Sequence, residues 1–391
     1  MARKPTELIH HPYKPPAGFE APQPGVFKAS TVIFPNTAAM RARSWKSKQG
    51  YTYGLHGTPT TFTLEERIAA LEGGRYTVLT PSGLSAVALV DAALLSAGDE
   101  LLMPDNGYGP GKELAMTELR RWGIGHRFYD PLDADAFARA IGPNTRLAWL
   151  EAAGSVTMEF PDLRALVRAA RDKGVTTVLD NTWGAGIAFQ PFELGEGLGV
   201  DLSMHALTKY PSGGGDVLMG AVTARDERLH EQLLRTHMRW GLGVGANDAE
   251  AVLRALPSIE LRYKCQDQAA RGVAGWLKQQ PQIAQLLHPA FEGSRGHEHW
   301  RSHCRAAAGL FSVVFDARFA AAQVDAFVDA LRLFRIGYSW GGPVSLVVPY
   351  DLKHMRTLPH PYAGTLVRFS IGLEDPQDLI ADLEQALGVL G

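Results

Sequence analysis

A lysine, an aspartate and a glycine-containing turn each stand at the end of a short apolar run. Leu202-Ser203-Met204-His205-Ala206-Leu207-Thr208 leads into Lys209-Tyr210, and a glycine run follows from Gly213 to Gly215. A strand-end lysine beside such a turn either stays solvated or is desolvated against a bound group, and desolvation lowers its pKa toward that of a Schiff-base nucleophile. Asp180 follows Thr177-Val178-Leu179 in the same way. There it either forms a turn or, if buried, needs a cationic partner. Thr77-Val78-Leu79-Thr80 runs into Pro81-Ser82-Gly83-Leu84-Ser85 and an Ala/Val/Leu-rich segment up to Leu95. A strand, a small-residue turn and a helix start expose backbone N–H groups that suit a phosphate, although many such turns hold nothing.

The elements that must position these residues can be read from the pattern. Strand-like runs recur at Glu100-Leu101-Leu102-Met103, Arg146-Leu147-Ala148-Trp149-Leu150, Thr176-Thr177-Val178-Leu179, Leu202-Ser203-Met204 and Val217-Leu218-Met219, with helical segments such as 163–173 between several of them. That alternation predicts an α/β fold with an open, mostly parallel sheet and helices on both faces. Ligands of such sheets bind beyond the carboxyl ends of the strands, where Asp180, Lys209 and the Ser82-Gly83 turn all fall. Leu64, Ile68 and Leu71 have helical spacing, and Gly73-Gly74 should end that helix. After Pro257 the texture changes to an amphipathic helix over 258–279, Phe311-Ser312-Val313-Val314-Phe315, a further helix to Leu333, and strands at 345–348 and 366–369. Residues 1–60 are rich in Pro, Gly and Thr and cannot form a core alone, so an arm lying on another surface is expected. The expected division is an arm over 1–60, a large domain over 61–256 and a smaller α+β domain with an antiparallel sheet over 257–391.

Composition excludes several classes. With 39 basic and 41 acidic residues among 391, the chain has no electrostatic footprint for nucleic acid. Two cysteines, Cys265 and Cys304, lack metal-like spacing and are expected to be buried apolar groups, which fits a reducing compartment. No signal-like apolar segment and no run of about 18 apolar residues occurs, so a cytoplasmic protein without a membrane span is expected. His299 and His303 would share a helix face in His297-Glu298-His299-Trp300-Arg301-Ser302-His303, but solvated neutral histidines and no metal are expected there.

Taken together, the sequence resembles the fold-type I pyridoxal-phosphate enzymes of cysteine and methionine metabolism. The resemblance is carried by Tyr53-Gly54, Ser82-Gly83-Leu84-Ser85-Ala86-Val87, Tyr108-Gly109-Pro110, Gly154-Ser155-Val156-Thr157-Met158-Glu159, Asp180-Asn181-Thr182-Trp183, Thr208-Lys209-Tyr210, Gly215-Asp216-Val217 and Arg368-Phe369-Ser370-Ile371-Gly372-Leu373-Glu374, in the family's order from about residue 25 to 385. It implies a seven-stranded sheet and pyridoxal 5'-phosphate as cofactor. Lys209 would carry the Schiff base, Asp180 would hold the ring nitrogen, and Tyr108 would stack on the ring. Gly83 and Leu84 N–H groups with the Thr208 hydroxyl would take the phosphate, reached by Tyr53 from a neighbouring subunit of a homotetramer built from dimers. Arg368 would clamp the substrate carboxylate. Two positions depart from the family pattern: Leu55 replaces a common Arg and Ala206 a common Ser. Fewer donors would then meet the phosphate, leaving more to the helix start and to His56.

Gly337-Tyr338-Ser339-Trp340-Gly341-Gly342 and the Gly154–Glu159 stretch resemble the cystathionine β-lyase branch, and relatives acting at Cγ commonly carry an acidic residue near the former. The resemblance therefore implies β-elimination from a small sulfur amino acid, as in transsulfuration and methionine biosynthesis. Ser339 and Trp340 would line the pocket, and Lys209, Tyr108 and Tyr53 would be the catalytic set. A γ-lyase or cysteine desulfhydrase would share nearly all these residues. A cofactor-binding regulatory protein would differ by lacking turnover.

Overall fold

The computed structural model describes residues 4–10, 17–19, 21–46, 48 and 50–390, so parts of the expected arm lie outside the described residues. The large sheet consists of β1 (Tyr76–Thr80), β2 (Glu100–Pro104), β3 (Gly125–Tyr129), β4 (Thr145–Glu151), β5 (Thr176–Asp180), β6 (Leu202–His205) and β7 (Gly220–Ala224). Its order is β1-β7-β6-β5-β4-β2-β3. β7 runs antiparallel to both neighbours, and the remaining pairs are parallel. Parallel strands need crossover helices and become buried on both faces, which is why β4 to β7 read as nearly continuous apolar runs.

Each face has its own packing. Leu64, Ile68 and Leu71 of the Pro59–Glu72 helix are fully buried, in one core with Leu179 of the sheet. Burial contributes about 2 kcal/mol for each such side chain. Thr58 caps this helix, Pro59 begins it, and Gly73 ends it in the left-handed conformation (φ 75°). On the other face, Leu89 and Val90 of the Gly83–Leu94 helix pack with Val78, Val178, Met204 and Val222. At the N-terminus, the Lys4–Ile9 helix buries Leu8 in the first of these cores, and Lys4 Nζ donates to the Ala70 carbonyl.

A second sheet is formed by β8 (Ile283–Leu287), β9 (Leu310–Phe315), β10 (Arg335–Ile336), β11 (Leu346–Tyr350) and β12 (Leu366–Ser370), ordered β10-β11-β12-β9-β8. It is antiparallel apart from the short β10–β11 pair. The Ile259–Leu277 helix packs Ala270, Val273 and Leu277 into the same core as Phe311 and Phe315. Its Tyr263 hydroxyl also donates to the Trp183 carbonyl beyond β5.

Several details differ from the sequence reading. Val217-Leu218-Met219 is not a strand: the Met219 N–H and carbonyl are taken by the Thr208 hydroxyl, and the ladder starts only at Gly220. Cys265 is exposed rather than buried, and Cys304 is partly buried. β3, β8 and β10 escape the apolar pattern because their side chains face solvent, alternately or throughout, at sheet edges, whereas the edge strand β1 stays buried and is legible.

Candidate active site

Lys209, Asp180, Tyr108, Ser339, Trp340 and Arg368 converge where the large sheet's carboxyl ends meet the second sheet, whereas Tyr53 makes its ring contact with His56. Lys209 Nζ donates to Ser339 Oγ at 2.9 Å and lies 5.5 Å from the Trp340 ring centroid. Trp340 in turn packs edge-on against Tyr210, with ring centroids 5.6 Å apart. Gly341 makes this approach possible: a Cβ there would sit 2.9 Å from the Tyr210 nitrogen, and its φ of +78° suits glycine. Ser339 itself has φ 111°, a strained value for a residue with a side chain, and its carbonyl accepts from Arg368 Nη2 at 3.4 Å. One strained serine thus touches both cations of the site.

Electrostatics make Lys209 a usable base. Burial, followed by the positive field of Arg368, pulls its ammonium down to about 8, against the opposing pull of Asp180. Asp180 ends β5 and accepts from the Thr182 N–H at 3.0 Å. Burial pushes its carboxyl up, while Thr182, His205 and Lys209 draw it down. Arg368, on β12, is 9% exposed and has no carboxylate partner among the described residues. A buried guanidinium without a counter-ion is a site prepared for an anion.

Beyond β1, Ser82 caps the Gly83–Leu94 helix by accepting from the Ser85 N–H at 3.0 Å. Gly83 and Leu84 stand at the first two helical positions, where N–H groups have no intrahelical acceptor. A methyl group on Gly83 would meet the Ala206 Cβ at 2.8 Å, so the turn sits directly on the segment before Lys209. Thr208 donates its hydroxyl proton to the Met219 carbonyl at 3.2 Å, and must give that bond up to donate to a phosphate. Tyr108, 39% exposed, precedes the Gly109–Leu114 helix. Burial, then the charges of Asp180 and Glu151, raise its phenol pKa.

Tyr53 is half exposed, with His56 as its ring neighbour at 6.1 Å. Leu55 and His56 face a small cavity of about 30 Å³ together with Leu79, Leu234 and His237. His56 Nδ1 shares a hydrogen bond with the Thr52 hydroxyl at 2.8 Å, and burial and Arg43 lower its pKa. The Nδ1 side of the ring is thus engaged locally and the ring disfavours a positive charge, so help from His56 to a phosphate would come from a neutral Nε2–H.

Glu151 was not singled out by the sequence reading. It ends β4 in register with Asp180, and its Oε2 accepts from the Tyr108 N–H at 2.7 Å. Burial, then the neighbouring Asp180, push its carboxyl up to about 8. The available signal was the one that marked Asp180, an acidic residue closing an apolar strand. In the histidine-rich segment, His303 Nε2 accepts from Arg164 Nε at 3.1 Å, and no three potential metal ligands gather among the described residues.

A family model described as Cys/Met metabolism PLP-dependent enzyme matches residues 5–388. The chain belongs to this family. Among the members it resembles, a cystathionine beta-lyase of Bordetella avium is 38% identical, the match covering 97% of this chain and 96% of the relative. An L-alanine/L-glutamate racemase of Wolbachia pipientis wMel is 33% identical over 94% and 92% of the two chains. The solved structure of a cystathionine gamma synthase from Xanthomonas oryzae pv. oryzae in complex with cystathionine superposes with a TM-score of 0.90 at 28% identity, covering 100% of this chain and 98% of that one.

Pyridoxal 5'-phosphate, the cofactor of the Cys/Met metabolism enzymes, fits the residues present. Asp180 is a buried carboxylate suited to a protonated ring nitrogen, Lys209 a depressed amine suited to an aldehyde, and the Gly83 cradle a helix start closed to any larger side chain.

Proposed function

We propose that this enzyme is a carbon–sulfur β-lyase that cleaves L-cystathionine to homocysteine, pyruvate and ammonia. The observation that carries the reading is the seat of Lys209 beneath Ser339 and Trp340 and beside the unpaired Arg368, in a segment, Gly337 to Gly342, without an acidic side chain. The β-lyase relative and the cystathionine-bound neighbour support the substrate class.

When bound, pyridoxal phosphate supplies an electron sink for the bonds of the substrate Cα. The protein's own residues do the rest. Arg368 binds the α-carboxylate through its planar N–H groups, and Asp180 would hold a positive ring nitrogen of the cofactor. Lys209 takes the Cα proton and delivers a proton to the sulfur as the Cβ–S bond breaks with its electron pair on sulfur. The three-carbon remainder is hydrolysed to pyruvate and ammonia. Tyr108 would pack on the ring, the Gly83 and Leu84 N–H groups would hold the phosphate, and the Thr208 hydroxyl would join them on releasing Met219. Ser339 and Trp340 shape the pocket wall. The family context also supports a homotetramer in which the partner's copy of the half-exposed Tyr53 completes each phosphate site, and the free, exposed Cys265 supports a cytoplasmic setting.

Product analysis on L-cystathionine tests this reading. Pyruvate and homocysteine are expected. α-Ketobutyrate and cysteine would assign a γ-lyase instead, and conversion of L-alanine or L-glutamate to the D-isomer with no pyruvate would assign a racemase.

A further inference from the structure

Arg368 on β12 lies opposite Val348 of β11, and Tyr350, two residues further along β11, projects from the same face as its diagonal neighbour. The guanidinium carbon is 5.2 Å from the centroid of the Tyr350 ring. Burial pushes the guanidinium pKa down and makes the charge costly, the hydrogen bond to Ser339 is long, at 3.4 Å, and no acid pairs with Arg368 among the described residues, so the opposing support comes from Tyr350, whose phenol also takes a hydrogen bond from the guanidinium. The charge therefore rests on Tyr350, on its ring and on its phenol oxygen.

We propose that Tyr350 is a positioning residue that holds Arg368 ready for the α-carboxylate of the substrate. An acidic partner in its place would compete with that carboxylate as a second anion, whereas the neutral tyrosine supports the charge through its ring and phenol oxygen and leaves other guanidinium donors for the substrate. The surroundings agree. Burial raises the Tyr350 phenol against the opposing influence of Arg368, so the ring adds no second charge near neutral pH. Tyr338, 79% exposed, packs edge-on against Tyr350 at 6.4 Å and covers its outer side. This proposal rests on the reading of Arg368 as the carboxylate clamp and goes beyond it by assigning the residue that sets the clamp's geometry.

The cofactor-loaded enzyme carrying Tyr350→Leu or Tyr350→Phe tests it. The leucine variant should raise KM for L-cystathionine about tenfold with kcat within twofold, whereas phenylalanine, which keeps the ring and loses only the phenol hydrogen bond, should raise KM by no more than about threefold with kcat within twofold. Calorimetric binding of propionate should weaken in parallel in the leucine variant, while uncharged propionamide should be unaffected. An unchanged KM with leucine, a phenylalanine variant as impaired as leucine, or equal losses for propionate and propionamide would overturn the role. If the wild-type enzyme released no pyruvate from cystathionine, the β-lyase reading would fail, and the comparison of propionate with propionamide would still decide whether Tyr350 acts through Arg368.

Discussion

Lys209 has the protonation chemistry the reaction asks of it because two different forces act on one amine. Desolvation and Arg368 favour the neutral form, and Asp180 restrains the shift, leaving a base that titrates near 8. Replacing Lys209 with alanine should abolish the near-visible absorbance of the bound cofactor and reduce turnover by at least about 10³-fold. Full activity in that variant would remove Lys209 from the site. The neighbouring carboxyls show a related division of labour. Asp180 and Glu151 end adjacent strands too close for both to ionise cheaply, so one can meet a cationic ring while the other anchors the Tyr108 backbone.

The Gly83–Leu94 helix carries a penalty inside its packing face. Asp91 is fully buried, with Oδ1 accepting from Trp149 Nε1 at 2.8 Å and Oδ2 without a partner among the described residues. Burial pushes its pKa from 3.8 to about 7, against the weaker pull of the Trp149 bond. Because the folded pKa lies above the unfolded one, the native state binds more protons between these values. Stability should fall as pH rises from 3.8 to about 7, by on the order of 1 kcal/mol per pH unit, with the full cost present at higher pH. Asp91→Asn removes that titration. Its melting temperature relative to wild type should climb across the window and level off above pH 7, and a pH-independent difference would refute the assignment.

A second set of elements fixes the Tyr108 turn from outside. Arg356, in the segment after β11, donates through Nε to Asp105 Oδ2 at 2.7 Å and through Nη1 to Glu159 Oε2 at 3.3 Å. Thr357 N–H reaches Asp105 Oδ1 at 2.8 Å, and Lys112 Nζ bonds the Asp105 carbonyl at 2.6 Å. Burial pushes the Asp105 carboxyl up, but Thr357 and Arg356 outweigh it and hold the group at about 2. A buried, well-satisfied network of this kind favours one arrangement of its members. Here it ties the approach to Tyr108 to the part of the chain that also carries Arg368.

At the scale of the whole molecule, the two sheets come together at the candidate site because the Ser339–Gly341 segment crosses onto Lys209. The arm leaves Ile33 90% exposed and Tyr53 half exposed, although Leu8 packs at home. Apolar side chains on a segment without its own core are natural contacts for a second copy. Sedimentation should therefore find a tetramer of about four times 42.5 kDa, and dilution to monomers should be accompanied by loss of activity. A fully active monomer would contradict the shared site.

The sequence by itself determined the parallel sheet, the long helix after Pro257 and the ends of the central strands, because buried strands and amphipathic helices leave periodic apolar signals. It also marked Asp180, Lys209, Gly83 and Arg368 through their places at strand ends and turns and through the family's order of motifs. Solvent-facing edge strands and polar loops leave no such signal, so β3, β8 and β10, the exposure of Cys265 and the local engagement of His56 emerged only with the fold. Tertiary structure alone decided which groups meet across large gaps in the chain: Ser339 with Lys209, Glu151 with the Tyr108 backbone, and Tyr350 with Arg368. Each is a contact between different elements, set by sheet register and by the close approach that Gly341 permits, and neither is written in local residue spacing. For Lys209 the sequence supplied the residue, and the fold supplied the desolvation and the neighbouring charges that make it a base.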